Sequence, residues 1–432
     1  MTGRKVQQVR GTMSVRNNRY LVMLAGLMLG AAIGLTGCAD SVTEEGGVSI
    51  ALLEPESEEA PSGANADAAA DELPSGSAGA ATENAFGSTS ASAATQGQTE
   101  PPREVQITVS ATGDVSLGNY IGQGYDLSFD QTYEKAADAG YFFENVREIF
   151  EEDDFTIVNL ECVLTESETP EPGRTFHIKG KPEYAAMLSG ADVEAVGMAN
   201  NHRMDFGEAG VQDTIAALEE EGIPYAYNEK LGWAEAKGIK IGWVSVNEVS
   251  QGKAVEAYLE EGIASLREAG AELVLASCHW GIEREYVPED YQRELGRKCI
   301  DWGADLVLGH HPHVLQGIEC YRGSYIVYSL GNFCFSANRN PADKDTMIFQ
   351  QTFTFTEMQS AEASDVESRQ WQLTGEAPAR VIPCRISSVA SRNDYKPTPL
   401  VGEEGQRVIN RLNEWSEEFG VVIEEDGTVT VK

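Results

Sequence analysis

From Val105 onward, short apolar runs rich in β-branched residues alternate with stretches of helical periodicity. This alternation constrains the fold more than any other feature, because strands that alternate with helices build an α/β architecture. Strands are predicted at 105–111, 155–159, 193–198, 240–246, 273–277, 306–308 and 325–329, and helices near 133–151, 207–221, 254–269 and 289–302. The last helix opens Pro288-Glu289-Asp290, with a proline and two acids where a helix start favours them.

Nearly every apolar run ends in polar residues. The first leads into Thr112-Gly113-Asp114, the second into Asn159-Leu160-Glu161, and the third into Ala199-Asn200-Asn201-His202, with Asp205 three further on. Later runs lead into Cys278-His279-Trp280-Gly281, Gly309-His310-His311-Pro312-His313 and Leu330-Gly331-Asn332-Phe333. In open α/β sheets ligands gather outside the carboxyl ends of strands, where loops escape the packing demands of the sheet. Five of the six histidines fall there, and only His177 does not. Carboxylates, amides and imidazoles together suit a divalent ion such as manganese, iron or zinc. A pair of ions needs a bridging carboxylate, for which Asp114 and Glu161 are the candidates, and a histidine that is not a ligand suits a general acid. Some of these residues have plainer readings: Asp114 as an Asx turn, His279 as a packed core histidine, Asn332 as part of a tight turn.

Taken in order, these motifs resemble the CapA family of bacterial capsule, or poly-γ-glutamate, synthesis proteins. The resemblance covers Val105 to Phe335, and the 382–402 stretch is similar to the tail that often follows. It implies a metallophosphoesterase-like layered sandwich, two β-sheets flanked by helices, with metals at the strand ends. It further implies Asp114, Glu161, Asn201, His279, His311 and His313 as ligands of one or two divalent ions, with His310 an alternative to His311. His202 is the implied acid, and Asn159, Asn200, Asp205, His310 and Asn332 are candidates to line the site. Two departures stand out. Phosphoesterases carry an Asp-x-His first motif, whereas Asp114 is followed by Val115 and Ser116; their Gly-Asp second motif appears here as Asn159-Leu160-Glu161. Fold therefore transfers more readily than activity.

Residues 1–37 hold five basic residues and no acid, with an apolar run from Tyr20 to Leu35 that ends in Leu35-Thr36-Gly37-Cys38. This pattern reads as a secretory signal, and its last four residues resemble a lipobox with Cys38 as the lipidated residue. Residues 38–104 are an acidic, Ala/Ser/Gly-rich segment that cannot bury enough surface to offset its ordering entropy, so it reads as a tether. The folded domain is expected over 105–400, followed by a C-terminal helix and short tail over 401–432. The 432 residues carry 32 basic and 69 acidic side chains, a formal net charge of −37. That balance argues against nucleic acid as a partner. Cys38 apart, the six cysteines include no Cys-x-x-Cys pair, which argues against a zinc ribbon and leaves any disulfide pairing open. The expected location is outside the cytoplasm at the cell membrane. The expected partners are an anionic envelope polymer, the bilayer through the lipid anchor, and a membrane synthase complex. Three functional readings follow: polymer synthesis, export or processing; a cell-surface dinuclear phosphoesterase; and a polymer-binding or synthase-docking module without catalysis.

Overall fold

The computed structural model describes residues 102–228, 230–358, 370–376 and 378–432. The leader, Cys38 and the tether up to residue 101 lie outside the described residues. Among the described residues, nine strands form one sheet and six form another. In the first, Glu104–Ser116 pairs in parallel with Phe155–Leu160 and antiparallel with Asp345–Met358. At its carboxyl end it also gains Asn332–Phe335 as a parallel neighbour. In the second, Ile239–Asn247, Leu273–His279, Leu306–His310 and Ser324–Val327 run parallel, with antiparallel strands at both edges.

The two-residue side-chain period of a strand explains the layers. Ile107, Val109 and Ala111 of the first sheet meet Ile241, Trp243, Leu275 and Leu308 of the second in one buried cluster. Residues of the other parity point outward. Val158, Leu160 and Val196 pack beneath Val211 and Leu218 of the Gly207–Glu220 helix. Val244, Val274 and Ala276 pack beneath Leu259 and Ile263 of Val255–Glu268 and Leu295 of Asp290–Asp301. The result is a layered sandwich of two sheets flanked by helices, as the resemblance implies. Beyond residue 400, the Gly402–Ser416 helix and a hairpin of Val421–Ile423 with Val429–Val431 place Val408, Leu412, Val421 and Val429 in the intersheet cluster.

The structure corrects two local expectations. The single helix near 133–151 is three short pieces, Phe129–Ala136, the 3-10 turn Ala139–Phe143, and Arg147–Glu152. Ala137 ends the first in a left-handed conformation, and Asp138 caps the next by accepting from Gly140 N. The break lets the chain double back so that Phe142 stacks on Phe129 with ring centroids 4.3 Å apart. Several strands also run further than expected. Asp114, His279 and His310 lie within strands, and Asn332 opens one instead of forming a tight turn. Asp114 and His279 have parallel neighbours on both sides, and His310 and Asn332 pair with them on one side; a two-residue apolar pattern alone does not reveal these polar ladder positions.

Trp243 anchors the intersheet layer: fully buried, edge-on to Phe155 at 5.8 Å, and donating from Nε1 to Val196 O across the sheets at 3.2 Å. Trp243→Ala is expected to cost about 3–5 kcal/mol through the cavity it leaves. Urea unfolding of the full-length chain measures this, and a loss below about 1 kcal/mol contradicts the assigned core.

Candidate metal centre

The site forms where two register rows meet at the carboxyl edge of the sandwich. In the first sheet Asp114 lies between Asn332 and Asn159, with Gly197 next in line. In the second, His279 lies between Asn247 and His310. The rows join through side chains: Asn159 Nδ2 donates to Asp114 Oδ1 at 2.8 Å and sits 3.3 Å from His279 Nδ1. Gly113 permits the first row, because a Cβ there would lie 2.1 Å from Gly331 O, the acceptor of Asp114 N at 2.8 Å. Gly309 permits the second, since its Cβ would fall 2.0 Å from Tyr328 O.

Asp114 is fully buried and surrounded by donors. His311 N donates to its Oδ2 at 3.2 Å, and His310 Nδ1 and His313 Nδ1 each approach to 3.2 Å. Burial would raise its pKa, but the two imidazoles beside it outweigh that and hold it well below the usual carboxylate range. Glu161 is the opposite case. Both of its oxygens are buried without a hydrogen-bond partner, and burial pushes its pKa well above the ordinary value. Three imidazole Nε2 atoms surround Glu161 Oε1: His279 at 3.7 Å, His313 at 3.8 Å and His202 at 4.0 Å.

Two ligand groups follow, Glu161 with His279 and His311, and Asp114 with Glu161 and His313; within each, the ligand atoms lie within 4.8 Å of one another. Glu161 belongs to both candidate groups. Asn201 lies beside the first, its Oδ1 2.8 Å from His279 Nε2. The surroundings orient these groups as outer partners do in metal sites. Asn332 Oδ1 lies 3.0 Å from His313 Nδ1, and Asn332 Nδ2 donates to His313 O at 3.1 Å, leaving Nε2 turned toward Glu161. Asn159 occupies the Nδ1 side of His279, and Asn200 in turn donates to Asn159 Oδ1 at 3.3 Å and to Leu160 O at 2.8 Å. His311 and His313 adopt φ of 93° and 57°, left-handed values that cost energy at a residue with a Cβ. That strain turns two imidazoles of one short loop toward the same carboxylates.

Charge follows the same geometry. Burial and the neighbouring His313 lower the His311 pKa to about 4, so that its lone pair is free at neutral pH. His313 is raised to about 9 despite burial, because Glu161 and Asp114 stabilise its positive charge. Without an ion, a proton on His313 supplies part of the positive charge that the carboxylates demand. The donor set therefore fits a divalent cation: an unpartnered buried polar group costs roughly 1–3 kcal/mol, and more when charged, while oxygens and imidazoles suit manganese, iron or zinc.

His202 stands apart from the ligand groups. Its Nδ1 lies 2.7 Å from Asp205 Oδ2, which leaves Nε2 facing Glu161. His310 is buried against Asp114 and belongs to neither group. Ser116, at the place of the histidine in an Asp-x-His motif, accepts from Ser336 N at 2.8 Å and Ala337 N at 3.2 Å. Its hydroxyl ties the end of the Glu104–Ser116 strand to the residues that follow Asn332–Phe335. Two residues absent from the expected set matter. Glu283 adds negative charge to the field felt by Glu161, His311 and His313. Arg174 contacts the Asn201–Asp205 loop. Neither carries a local pattern that distinguishes it from other surface charges.

The architecture and site define a two-sheet α/β protein with a buried carboxylate–imidazole cluster at the strand ends. Residues 108–337 match the bacterial capsule synthesis protein PGA_cap family, and the chain belongs to it. It is 31% identical over 265 residues to the PGA biosynthesis protein CapA of Bacillus subtilis (strain 168), covering 55% of this chain and 67% of that one. To the capsule biosynthesis protein CapA of Bacillus anthracis it is 26% identical over 255 residues, covering 53% of this chain and 60% of that relative's length. A hypothetical protein from Thermus thermophilus superposes with a TM-score of 0.36 at 15% identity, over 64% of this chain and 99% of that one.

Removing the unpartnered carboxyl group tests this account of the site. In chelator, Glu161→Gln is expected to raise the thermal midpoint of the full-length chain while abolishing uptake of manganese or zinc. A lowered midpoint in chelator, measured by calorimetry, contradicts the reading of Glu161 as a residue that destabilises the ion-free fold.

Proposed function

We propose that this chain is a lipid-anchored, extracytoplasmic CapA-like protein that acts in synthesis, export or processing of an anionic envelope polymer through a divalent-metal site. The observation that carries the metal assignment is Glu161, shared by two ligand groups and holding two buried oxygens without partners. Its family supports the polymer, since the printed names of both Bacillus relatives concern capsule or PGA biosynthesis. The leader ending in Cys38 supports the anchor, and the acidic stretch after it supports a tether that holds the domain away from the bilayer.

In this reading Asp114, Glu161, Asn201, His279, His311 and His313 hold one or two ions. A divalent ion there would polarise a substrate oxygen as a Lewis acid. The chain's own residues do the rest. Asn159 and Asn332 fix the imidazoles of His279 and His313, and Asp114 holds the loop of His311 through its backbone N–H. The net charge of −37 repels an anionic polymer at long range, so attraction has to arise locally, where cations meet the strand ends.

The His202–Asp205 pair favours a second reading, a surface phosphoesterase. Asp205 fixes Nδ1 at 2.7 Å, and the side chain remains accessible enough for Nε2 to pass a proton to a departing oxygen. Docking to a synthase complex without catalysis is the third reading, and it predicts that polymer production survives loss of every ligand.

Metal content by mass spectrometry, on full-length chain purified without chelator and challenged with manganese and zinc, tests the assignment. About two equivalents are expected for a two-ion site, with most of that metal lost in the His311→Ala/His313→Ala double variant. A folded wild-type chain that takes up neither metal overturns it. His202→Ala is expected to keep the metal and to lose about 100-fold or more in hydrolysis of a phosphoester probe if the second reading holds. An unchanged rate on a probe that wild type does cleave removes His202 from the chemistry.

A further inference from the structure

The residues that follow the short strand Val163–Leu164 form a strap over the loop that carries Asn201 and His202, and hydrogen bonds fasten the two together. Glu171 N donates to Asp205 O at 2.8 Å, and Ile178 N donates to Asp205 Oδ2 at 2.7 Å. Arg174 Nη1 donates to Asp205 Oδ1 at 3.2 Å and also to Asn201 O. The strap is itself anchored. Ile178–Gly180 pairs with Asn119–Tyr120 and Val163–Leu164 in a small sheet, and Ile121 N donates to His177 O at 2.8 Å. His177, which the metal reading leaves unused, approaches Glu171 O with Nε2 at 2.6 Å and closes the strap on itself.

Arg174 is the unusual member. One guanidinium nitrogen grips the carbonyl of Asn201, the residue before His202, and the carboxylate of Asp205, three residues after it. Asp205 is fully buried, whereas about a third of the Arg174 side chain remains exposed. The guanidinium thus spans both flanks of His202. It acts on two groups of the site at once: Asn201, whose Oδ1 lies 2.8 Å from His279 Nε2, and His202, whose Nδ1 lies 2.7 Å from Asp205 Oδ2. An arginine suits this task because Nη1 of its planar, permanently charged guanidinium carries two hydrogens in fixed directions, so that one nitrogen serves two acceptors.

We infer that Arg174 is a positioning residue that holds Asn201 and His202 in their working arrangement through the Asn201 carbonyl and the Asp205 carboxylate. The inference rests on the metal reading for its effect on Asn201, and on the geometry of the loop alone for its effect on His202. Sequence motifs do not reveal it, because Arg174 follows a Pro170-Glu171-Pro172-Gly173 turn far from every strand end that marks the site.

Two measurements on the full-length chain test it, using Co2+ as the probe and ¹⁵N-histidine labelling. Outer partners of metal ligands typically contribute about 10–100-fold to affinity. Arg174→Gln is therefore expected to weaken Co2+ binding about tenfold or more and to alter the visible Co2+ spectrum. Arg174→Lys should recover part of the affinity. In the ion-free state the His202 Nδ1–H signal, protected by Asp205 in wild type, is expected to shift or broaden in Arg174→Gln, with the His310 and His313 signals in place. Wild-type affinity together with an unchanged His202 signal in Arg174→Gln overturns the inference. Wild-type chain that binds no Co2+ removes the metal reading, and the His202 signal then decides the positioning role by itself. If Arg174→Gln proves unfolded by circular dichroism, Arg174→Lys carries the test: weakened Co2+ binding or a shifted His202 signal there supports the positioning role of the guanidinium, and full affinity with an unperturbed His202 signal overturns it.

Discussion

The carboxylate of Asp114 ties the structure to its chemistry. It lies in the parallel part of the first sheet between Asn159 and Asn332, and it reaches the second sheet through His311 N, His310 and His313. A buried charge of this kind is tolerated only when donors surround it. Here the donors come from both sheets, so the alignment of the sheets and the presence of the site are one requirement. Gly113 and Gly309 belong to the same requirement, because a side chain at either would collide with backbone of a neighbouring strand.

Glu161 shows the complementary principle. Its neighbour across the cluster is saturated with partners, while its own oxygens have none. A fold selected for stability alone would place a neutral or apolar side chain there. The left-handed backbone of His311 and His313 is a second local cost at the same place. Both costs fall where a bound ion would offset them. The intersheet core, with Trp243 and the C-terminal helix, supplies the stability that tolerates them.

Much of the site is legible in the residues themselves. Polar clusters at the ends of apolar runs mark Asp114, Asn159, Glu161, Asn200, Asn201, His202, Asp205, His279, His310, His311, His313 and Asn332, because a strand's carboxyl end is where such residues find use. The structure sorts them into roles. Asn159, Asn200 and Asn332 hold other side chains by hydrogen bonds, Asp205 holds His202, and His310 packs against Asp114. The 133–151 segment is less legible: its apolar spacing suits one helix, whereas the stacking of Phe129 on Phe142 requires the chain to turn. Ser116 departs visibly from the Asp-x-His motif, yet its task of holding the chain that follows Asn332–Phe335 emerges only from the packed sheet.

The α/β class, the order of motifs that identifies the family, and the chemical types gathered at the strand ends all follow from the amino-acid order. Those properties are local, set by side-chain period and composition along short segments. Which carboxylate is left without partners, which imidazole nitrogen faces it, and that Arg174 grips the loop bearing His202 are properties of the packed molecule. They depend on distances between residues as far apart in the chain as Asp114 and His311, and no local pattern encodes them. They arise only once both sheets are packed and every buried donor has found, or failed to find, its acceptor.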